Sequence, residues 1–378
     1  MMQSSIGGRG APLEAAIAEA ARLIARSRSP VIAGLGADVA GARAAITLAD
    51  RVGAAIDHMH SSALLRDLDV MREYGLMLTT PNEARLRGDV VFLVGDGLSE
   101  AGLPDIWPDL RTHVLAPPAA VDAQRRILWL CPGVMARRGP LGPDRDTGVR
   151  IETTAGDAEA LPGLLAALRA RVNGRPLALA GAGLREIDAL ATALQSATFG
   201  IAVWSATRLD ALTIEMLCGL VTDLNARTRF TGLPLAPGDN AVGVLQVCGW
   251  MTGFPMRTGF ARGFPEHDPW RFEADRLVNS GEADCALWIS AYQAASPQWE
   301  RAIPLIALTA AKTEFPRTPE VHIAVGRPGV DHDSVDHLAR TATFAPVAAS
   351  QASDAPSVAD VIGRLVAALD DKVGAASC

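Results

Sequence analysis

Short, uninterrupted apolar segments recur along the chain, each followed by glycine and then by helical spacing. Residues 31–34 form one such segment, and Gly34-Leu35-Gly36 ends it. Apolar and alanine positions over residues 38–52 then keep helical spacing, before a second apolar segment at 54–56. Strands buried in parallel sheets have this unbroken apolar character, because helices cover both faces of the sheet. The pattern predicts a βαβ unit and an α/β fold.

A second stretch repeats the arrangement. Residues 176–180 predict a strand, Gly181-Ala182-Gly183 a turn, residues 184–197 a helix and residues 200–204 a further strand. The interval from Gly36 to Gly53 equals that from Gly183 to Gly200. Equal spacing over a whole unit is typical of internal repetition, so we predict two duplicated α/β domains. Chance glycine spacing in an Ala/Gly-rich chain is the alternative.

The length of 378 residues suits two or three domains. Further strands are predicted at residues 89–94, 113–116, 127–130, 285–290, 303–308 and 321–325, and further helices at 157–172, 209–227 and 270–280.

Residues 228–268 are rich in Gly, Pro and aromatic residues and show little periodicity. The predicted organisation is an N-terminal helix (1–28), a first Rossmann-like domain (29–150), the start of a second domain (151–228), a Gly/Pro-rich structured excursion (229–270), and remaining strands with a C-terminal tail (271–378). Whether that last part returns to the first domain is left open.

Composition excludes several classes of function. The net charge is −7, and only Lys312 and Lys372 are lysines, which argues against nucleic acid and anionic membranes as partners. Hydrophobic residues make up 49% and charged residues 20% of the chain, which favours burial against other proteins. The five cysteines are widely separated, and no signal segment opens the chain, so we expect reduced thiols and a cytoplasmic location.

The candidate nucleotide site comprises Gly34, Gly36 and Asp57. Glycines after a strand let backbone amides approach a phosphate, and an acidic residue after the next strand can bind a ribose hydroxyl. The third glycine of the dinucleotide fingerprint is absent, because Val39 stands there. A purely structural tight turn is the alternative.

Other motifs give weaker evidence of a binding or catalytic function. His58 and His60 follow a strand end, where two imidazoles could bind a metal. No third ligand stands at a convincing offset, which favours surface or loop histidines over a metal site. Arg257 and Arg262 could hold an anion, or could pair with acids of their own loop. Cys248 has apolar neighbours and is expected in the core rather than as a nucleophile.

Several motifs, taken in order, resemble the B subunit of formylmethanofuran dehydrogenase, a family of molybdopterin oxidoreductases. The resemblance covers nearly the whole chain from Pro12 onward. The runs that carry it are Leu220-Val221-Thr222-Asp223-Leu224-Asn225, Gly249-Trp250-Met251-Thr252-Gly253-Phe254-Pro255, Ala261-Arg262-Gly263-Phe264-Pro265 and Val278-Asn279-Ser280-Gly281-Glu282-Ala283-Asp284-Cys285-Ala286-Leu287-Trp288-Ile289. The resemblance implies two related Rossmann-like three-layer αβα domains around a pterin cofactor.

Two departures from the family bear on function. The resemblance implies a cysteine-rich iron–sulfur segment that this sequence lacks before Pro12. It also implies a Cys or selenocysteine ligand to molybdenum or tungsten a few residues after Asp57, where Ser61-Ser62-Ala63 stands instead. A hydroxyl or methyl group does not replace a thiolate on such a metal. We therefore expect no molybdenum or tungsten pterin, no iron–sulfur cluster and no catalytic residue on this chain.

This combination is similar to the corresponding subunit of the bacterial formyltransferase/hydrolase complexes of methylotrophs. The resemblance implies a hetero-oligomer in which formyl passes from formyltetrahydromethanopterin to a methanofuran-like carrier and is hydrolysed to formate. It implies three partners: an amidohydrolase-like hydrolase subunit, a formyltransferase subunit and a further small subunit. This chain would be a scaffold with a relict cleft, whose candidate residues are Gly34, Gly36, Asp57, His58, His60, Arg257 and Arg262. Such a cleft could still bind the carrier's polyanionic tail through Arg257 and Arg262. The alternative is a stand-alone nucleotide-binding α/β enzyme that uses Gly34, Gly36 and Asp57.

Overall fold

The computed structural model describes residues 4–98, 102–111, 125–133, 151–154, 156, 159–178, 181–310 and 312–376. The chain divides into two compact units. Unit 1 comprises Met1–Ser61, Asp239–His337 and Phe344–Cys378, and unit 2 comprises Ser62–Gly238 and Leu338–Thr343. Residues 271–337 thus share a unit with residues 29–61, whereas the predicted boundaries at 150 and 228 lie inside unit 2.

Unit 1 is built on a nine-stranded sheet. The strands are numbered in chain order, and their spatial order is β11 (Glu266–His267), β10 (Thr258–Gly259), β4 (Ala55–Ile56), β3 (Pro30–Gly36), β12 (Cys285–Ser290), β13 (Leu305–Thr309), β14 (Val321–Ala324), β1 (Ser4–Ile6) and β2 (Arg9–Gly10). Its helices are α1 (Leu13–Arg26), α2 (Val39–Val52), α9 (Ala241–Thr252), α10 (Ala274–Ser280) and α11 (Val358–Ala376). A separate two-stranded sheet pairs β15 (Ser334–Leu338) with β16 (Thr343–Val347).

The five central strands of this sheet, from β4 to β14, are parallel. Alternate residues of β3 and β12, such as Val31 and Trp288, join a core cluster with Leu277 and Val278 of α10. The intervening residues, such as Ile32, are also buried and face the opposite side because strand side chains alternate. Both faces of the sheet are therefore covered, as the unbroken apolar segments predicted.

Unit 2 contains a five-stranded parallel sheet. Its strands in spatial order are β7 (Ile151–Thr154), β6 (Arg126–Leu130), β5 (Val90–Val94), β8 (Phe199–Trp204) and β9 (Arg229–Pro234). Its helices are α3 (Ser61–Tyr74), α4 (Pro81–Arg87), α5 (Leu103–Arg111), α6 (Leu161–Val172), α7 (Gly181–Gln195) and α8 (Ala211–Leu224). One core cluster joins one face of the sheet to α6, α7 and α8, and a second joins the other face to α4 and α5.

The mixed α/β class with parallel sheets is confirmed, and several element predictions need correction. Residues 176–178 form no strand, and α7 begins at Gly181, where a turn was predicted. The supposed excursion contains β9 and α9. Gly232 within β9 resembles a strand breaker, but a Cβ there would lie 2.8 Å from the Trp204 ring, so glycine is what fits. The strand predicted at 113–116 lies outside the described residues.

The glycines whose equal spacing predicted the duplication occupy different local structures. Gly53 ends α2 with φ +69°, a left-handed cap that favours glycine. Gly200 is the second residue of β8, where a Cβ would collide with the Phe230 ring. The equal spacing therefore gives no support to a repeated unit. Among the helices in the described ranges, none has the length and apolar character needed to cross a bilayer.

Candidate functional site

All seven candidate residues lie in unit 1, and most of them lie at the carboxyl edge of its sheet. There β3 lies between β4 and β12 in parallel register. The backbone pairing continues past the strand ends, because Met59 N donates to Gly34 O at 3.0 Å and Ala291 N donates to Gly36 O at 2.8 Å. In open α/β sheets, this is the edge at which ligands bind.

Gly34 and Gly36 are explained by close packing inside the unit. Both belong to β3, so the G-x-G segment is strand rather than turn. Gly34 has φ +74°, and a Cβ there would lie 2.6 Å from Ile289 O. A Cβ on Gly36 would lie 3.3 Å from both the Asp239 Cβ and the Met59 Cε.

The N-terminus of α2, where a nucleotide phosphate would bind, is capped by Asp38. Its Oδ1 accepts a hydrogen bond from Gly41 N at 2.9 Å, and the side chain is buried. Burial raises the pKa of this carboxyl. A phosphate would bind to free backbone amides at the positive, N-terminal end of the helix. The Asp38 carboxyl already accepts a hydrogen bond from one of these amides and occupies the space beside it.

Asp57 and Arg257 form a buried ion pair. β10 adds antiparallel to β4, and Arg257 N donates to Ile56 O at 2.9 Å, which places the arginine beside the end of β4. The Arg257 Nε lies 3.5 Å from Asp57 Oδ1, with only 11% and 7% of the two side chains exposed. Burial raises the pKa of Asp57 to about 6, although the charge of Arg257 and the hydrogen bond from Ala274 N lower it.

Further contacts fix this pair in the structure. Asp57 Oδ2 accepts from Ala274 N, the first amide of α10, at 2.9 Å. Arg257 Nη2 lies 2.9 Å from Glu273 Oε1, and Nη1 donates to Pro269 O at 2.7 Å. The carboxylate and the guanidinium therefore join β4, β10 and the start of α10.

Arg262 stands apart from that pair. Its side chain is 64% exposed, and its Nη1 lies 2.9 Å from Glu266 Oε1. Of the two arginines predicted to bind an anion together, Arg262 alone presents its guanidinium to solvent.

His58 and His60 both turn toward Asp239. Burial, together with the charge of His60, lowers the pKa of His58 to about 4. Its Nδ1 accepts from His60 N at 3.0 Å and its Nε2 lies 3.2 Å from Asp239 O, so neutral His58 carries its proton on Nε2. The His60 Nε2 lies 3.2 Å from Asp239 Oδ2. The two histidines thus bind one aspartate, and no group of three or more His, Cys, Asp or Glu in the described ranges is placed to hold a metal ion.

Three further residues of the site were not predicted from the sequence. Asp239 and Glu273 contact candidate residues, and Asp38 caps α2. Asp239 and Asn240 have φ of +59° and +54°. Asp and Asn are the non-glycine side chains that most readily adopt this left-handed conformation, so Gly238-Asp239-Asn240 carried a detectable turn signal. Asp38 immediately before a predicted helix was a recognisable N-cap.

The thiols of the described residues are placed in cores rather than at this edge. Cys131, Cys218, Cys248 and Cys285 are all buried. Burial raises the pKa of Cys218 to about 12, that of Cys248 to about 11 and that of Cys285 to about 12, which disfavours the thiolate.

A molybdenum or tungsten pterin of the family type does not fit the residues after Asp57. Ser61 begins α3, and its hydroxyl oxygen accepts from His58 N at 3.0 Å. Ala63 and Leu64 are buried apolar side chains, and Met59 packs against the core of unit 1. None of these supplies the anionic sulfur that such a metal requires.

The sequence of this chain is similar to those of known B subunits. The B subunit of the formyltransferase/hydrolase complex Fhc of Methylorubrum extorquens is 32% identical over 374 residues, which cover 98% of each chain. The B subunit of the tungsten-containing formylmethanofuran dehydrogenase 2 of Methanocaldococcus jannaschii is 28% identical over 331 residues, 84% of this chain and 74% of that one. No family model matches.

A solved structure gives the same result. A chain in the X-ray crystal structure of the formyltransferase/hydrolase complex FhcABCD from Methylorubrum extorquens, in complex with methylofuran, superimposes with a TM-score of 0.85 at 33% identity. The match covers 98% of this chain and 99% of that chain. The chain therefore belongs to the family of B subunits of the formyltransferase/hydrolase complex.

Proposed function

We propose that this chain is a non-catalytic structural subunit of a formyltransferase/hydrolase complex. The observation that carries the proposal is that the polar groups of the relict cleft bind one another. Asp57 pairs with Arg257 and accepts from the α10 backbone, and His58 lies against Asp239. In the described part of the chain, these groups cross-link the fold rather than act as an acid, base or nucleophile toward a substrate.

The chemistry of the proposed complex resides on other subunits. A formyltransferase subunit moves formyl from formyltetrahydromethanopterin to a methanofuran-like carrier, and an amidohydrolase-like subunit releases formate. A further small subunit completes the assembly. Support comes from the methylofuran-bound crystal structure, whose matching chain covers nearly the whole of this one.

The proposal includes loss of the redox cofactors, with the two units corresponding to the two Rossmann-like αβα domains of the molybdopterin oxidoreductase type without an iron–sulfur domain. The raised pKa values of Cys218, Cys248 and Cys285 support it, because burial disfavours the thiolate and a [4Fe–4S] cluster takes four thiolates at one site. The helices on both faces of each parallel sheet support the domain type. The Asp38 cap and the engaged Asp57 disfavour the alternative of a stand-alone nucleotide-binding enzyme.

Co-purification with activity tests this proposal. The chain, tagged, is co-expressed with the formyltransferase, amidohydrolase-like and small subunits encoded in the same genome. We expect the three subunits to be recovered with it, and a His60→Ala complex to keep formyl transfer and hydrolysis within about twofold, because the His60 ring engages Asp239 and the His58 ring within unit 1. Failure of the wild-type chain to recover the other subunits would contradict membership of such a complex. A loss of activity of tenfold or more in an intact His60→Ala complex would contradict the non-catalytic role.

A further inference from the structure

A cavity of about 190 Å³ opens at the amino ends of β13 and β14 in unit 1. Its walls come from residues 297–305, which lead into β13, and from residues 315–320, which lead into β14. Because β12, β13 and β14 are parallel, this edge of the sheet is opposite the carboxyl edge at which most of the candidate residues lie. The cavity is therefore separate from the relict cleft, and the proposed function does not use it.

Half-buried apolar side chains form one wall of the cavity. Trp299, Ile303 and Phe315 pack against the core cluster that joins β3, β12 and α10, and each keeps part of its surface open to the cavity. Leu305, the first residue of β13, lines it as well and is 9% exposed. An apolar cavity of about 150 Å³ in another protein accommodates benzene, so this wall has the size and character for one small ring.

The two aromatic rings of this wall are held in place. Trp299 Nε1 donates to Asp275 Oδ1 of α10 at 2.8 Å, and the Trp299 ring meets Trp288 edge-on with centroids 5.7 Å apart. The Phe315 ring meets His322 of β14 in the same way, with centroids 5.4 Å apart. A wall that is ordered before a ligand arrives loses little conformational entropy on binding.

Two arginines line the cavity beside the apolar wall. The Arg301 guanidinium lies against Gly281, the residue after α10, where a Cβ would collide with it. Within the described ranges, no acceptor receives a hydrogen bond from that guanidinium. Arg317 Nη2 donates to Glu300 O at 2.6 Å. A guanidinium carries five N–H donors, so both arginines keep donors for an anion.

Glu320 limits the charge that the cavity can accept. Its Oε2 accepts from Leu305 N at 2.6 Å, which fixes the carboxylate at the start of β13. With two arginines and this glutamate, the residues that line the cavity carry a formal charge of +1. A monoanion balances that charge, whereas a phosphate dianion exceeds it and is repelled by Glu320.

We propose that this cavity binds a small aromatic monocarboxylate. Its ring would lie against Trp299 and Phe315, and its carboxylate would accept hydrogen bonds from Arg301 and Arg317. Aromatic rings pack favourably in offset or edge-to-face arrangements, and the arginine fork matches a carboxylate. The proposal is independent of the proposed function, because all of these residues belong to unit 1 and no other subunit is needed.

Binding of 4-fluorobenzoate to the purified full chain, followed through its fluorine NMR signal, tests the proposal. We expect saturable binding with a dissociation constant of about 1 mM or lower, and displacement by benzoate. The neutral 4-fluorobenzamide has the same ring without the charge, so it should bind at least about tenfold more weakly. Acetate, which has the carboxylate without the ring, should not displace the probe at equal concentration.

Matched variants assign the binding to this cavity. Arg301→Gln and Arg317→Gln together should weaken it about tenfold or more, because charge-assisted hydrogen bonds to the carboxylate are lost. Ala302→Phe, at an exposed lining position, should do the same by filling the cavity while both arginines remain. Arg262→Gln, at an exposed arginine outside the lining, should leave the dissociation constant unchanged. All thermal midpoints should stay within about 2 °C of the wild type, because every changed side chain is exposed.

The outcomes separate a ligand site from an ordinary surface depression. Absence of saturable binding, or equal affinity for the acid and the amide, would overturn the proposal. Unchanged affinity in the double arginine variant or in Ala302→Phe would show that the probe binds elsewhere, and would overturn it as well. If the double variant does not fold, Ala302→Phe decides the result alone.

Discussion

Replacing Arg257 with methionine should destabilise unit 1 by about 2–3 kcal/mol at pH 8, because Asp57 must then stay charged without its partner or bind a proton two pH units above a pKa of about 6, at about 1.4 kcal/mol per unit. Asp57 would keep the hydrogen bond from Ala274 N but lose the guanidinium 3.5 Å from its Oδ1. Methionine fills a similar apolar volume, so the loss is mainly electrostatic. Denaturant unfolding of the wild type and the variant measures it.

The pH dependence identifies the cause of that loss. Burial raises the pKa of Asp57 to about 6, so the neutral carboxyl favours folding below the ordinary pKa of an aspartate, and this contribution disappears as pH rises through 6. Without Arg257 the pKa of Asp57 rises further, because the attraction that lowers it is gone. The difference between wild type and variant should therefore shrink from pH 8 to pH 5. Adding Asp57→Asn should restore most of the stability at pH 8.

Arg262→Met is the matched control for Arg257. This side chain is 64% exposed, and its pair with Glu266 is of the surface type. We expect a change of about 0.5 kcal/mol or less, with no dependence on pH between 5 and 8. An Arg257→Met variant as stable as Arg262→Met would mean that the Asp57–Arg257 pair does not stabilise the fold, and would leave Arg257 available for the carrier.

Arg125→Met should destabilise unit 2 by about 3 kcal/mol or more. The buried Arg125 guanidinium donates to Gly88 O at 2.7 Å and to Ala84 O and Arg85 O at 2.9 Å, and also to Leu110 O. It thus caps the last carbonyls of α4 and a carbonyl at the end of α5. Burial lowers its pKa to about 10, which leaves it cationic at neutral pH. Methionine would remove the side-chain donor from all four carbonyls, although Ala84 O would keep the hydrogen bond from Gly88 N at 3.0 Å.

The adjacent Arg126 supplies the control for Arg125. Its side chain is 42% exposed and pairs with Glu152 at 3.1 Å, so Arg126→Met should cost less than about 1 kcal/mol. Urea midpoints of the two variants, measured side by side, check the difference. Equal midpoints would show that the hydrogen bonds from Arg125 to the two helix ends contribute little.

Much of the fold could be predicted from local pattern. The segment 285–290 is β12 without correction, and α2 ends at Val52 as predicted, because its apolar face follows helical spacing. β9 was missed because Gly232 and Pro234 look like breakers, although an edge strand tolerates both where a neighbouring ring needs room. The route of the chain through unit 2 and back at Asp239 depends on strand pairings between distant segments, which local pattern does not contain.

In the candidate site, the sequence predicted some of the residues but not their contacts. Asp57, His58 and Arg257 were each singled out by residue type and position. Their partners were not foreseen, because β10 pairs with β4 across two hundred positions of sequence and brings Arg257 to Asp57. Whether a polar residue binds a ligand or a neighbouring side chain is decided by such contacts. In this chain, the candidate ligand residues contact neighbouring residues and so join different elements of unit 1.

The metal content of the active complex tests the central proposal most directly. The complex, purified with this chain and shown to transfer and hydrolyse formyl groups, is analysed for molybdenum, tungsten, iron and zinc by mass spectrometry of the elements. Zinc expected on the amidohydrolase-like subunit serves as the internal positive control. A non-catalytic structural subunit predicts less than about one tenth of an atom of molybdenum, tungsten or iron per copy of this chain, below the one or more that a metal or cluster site requires. Stoichiometric molybdenum, tungsten or iron that remains with this chain when the subunits are separated would contradict it.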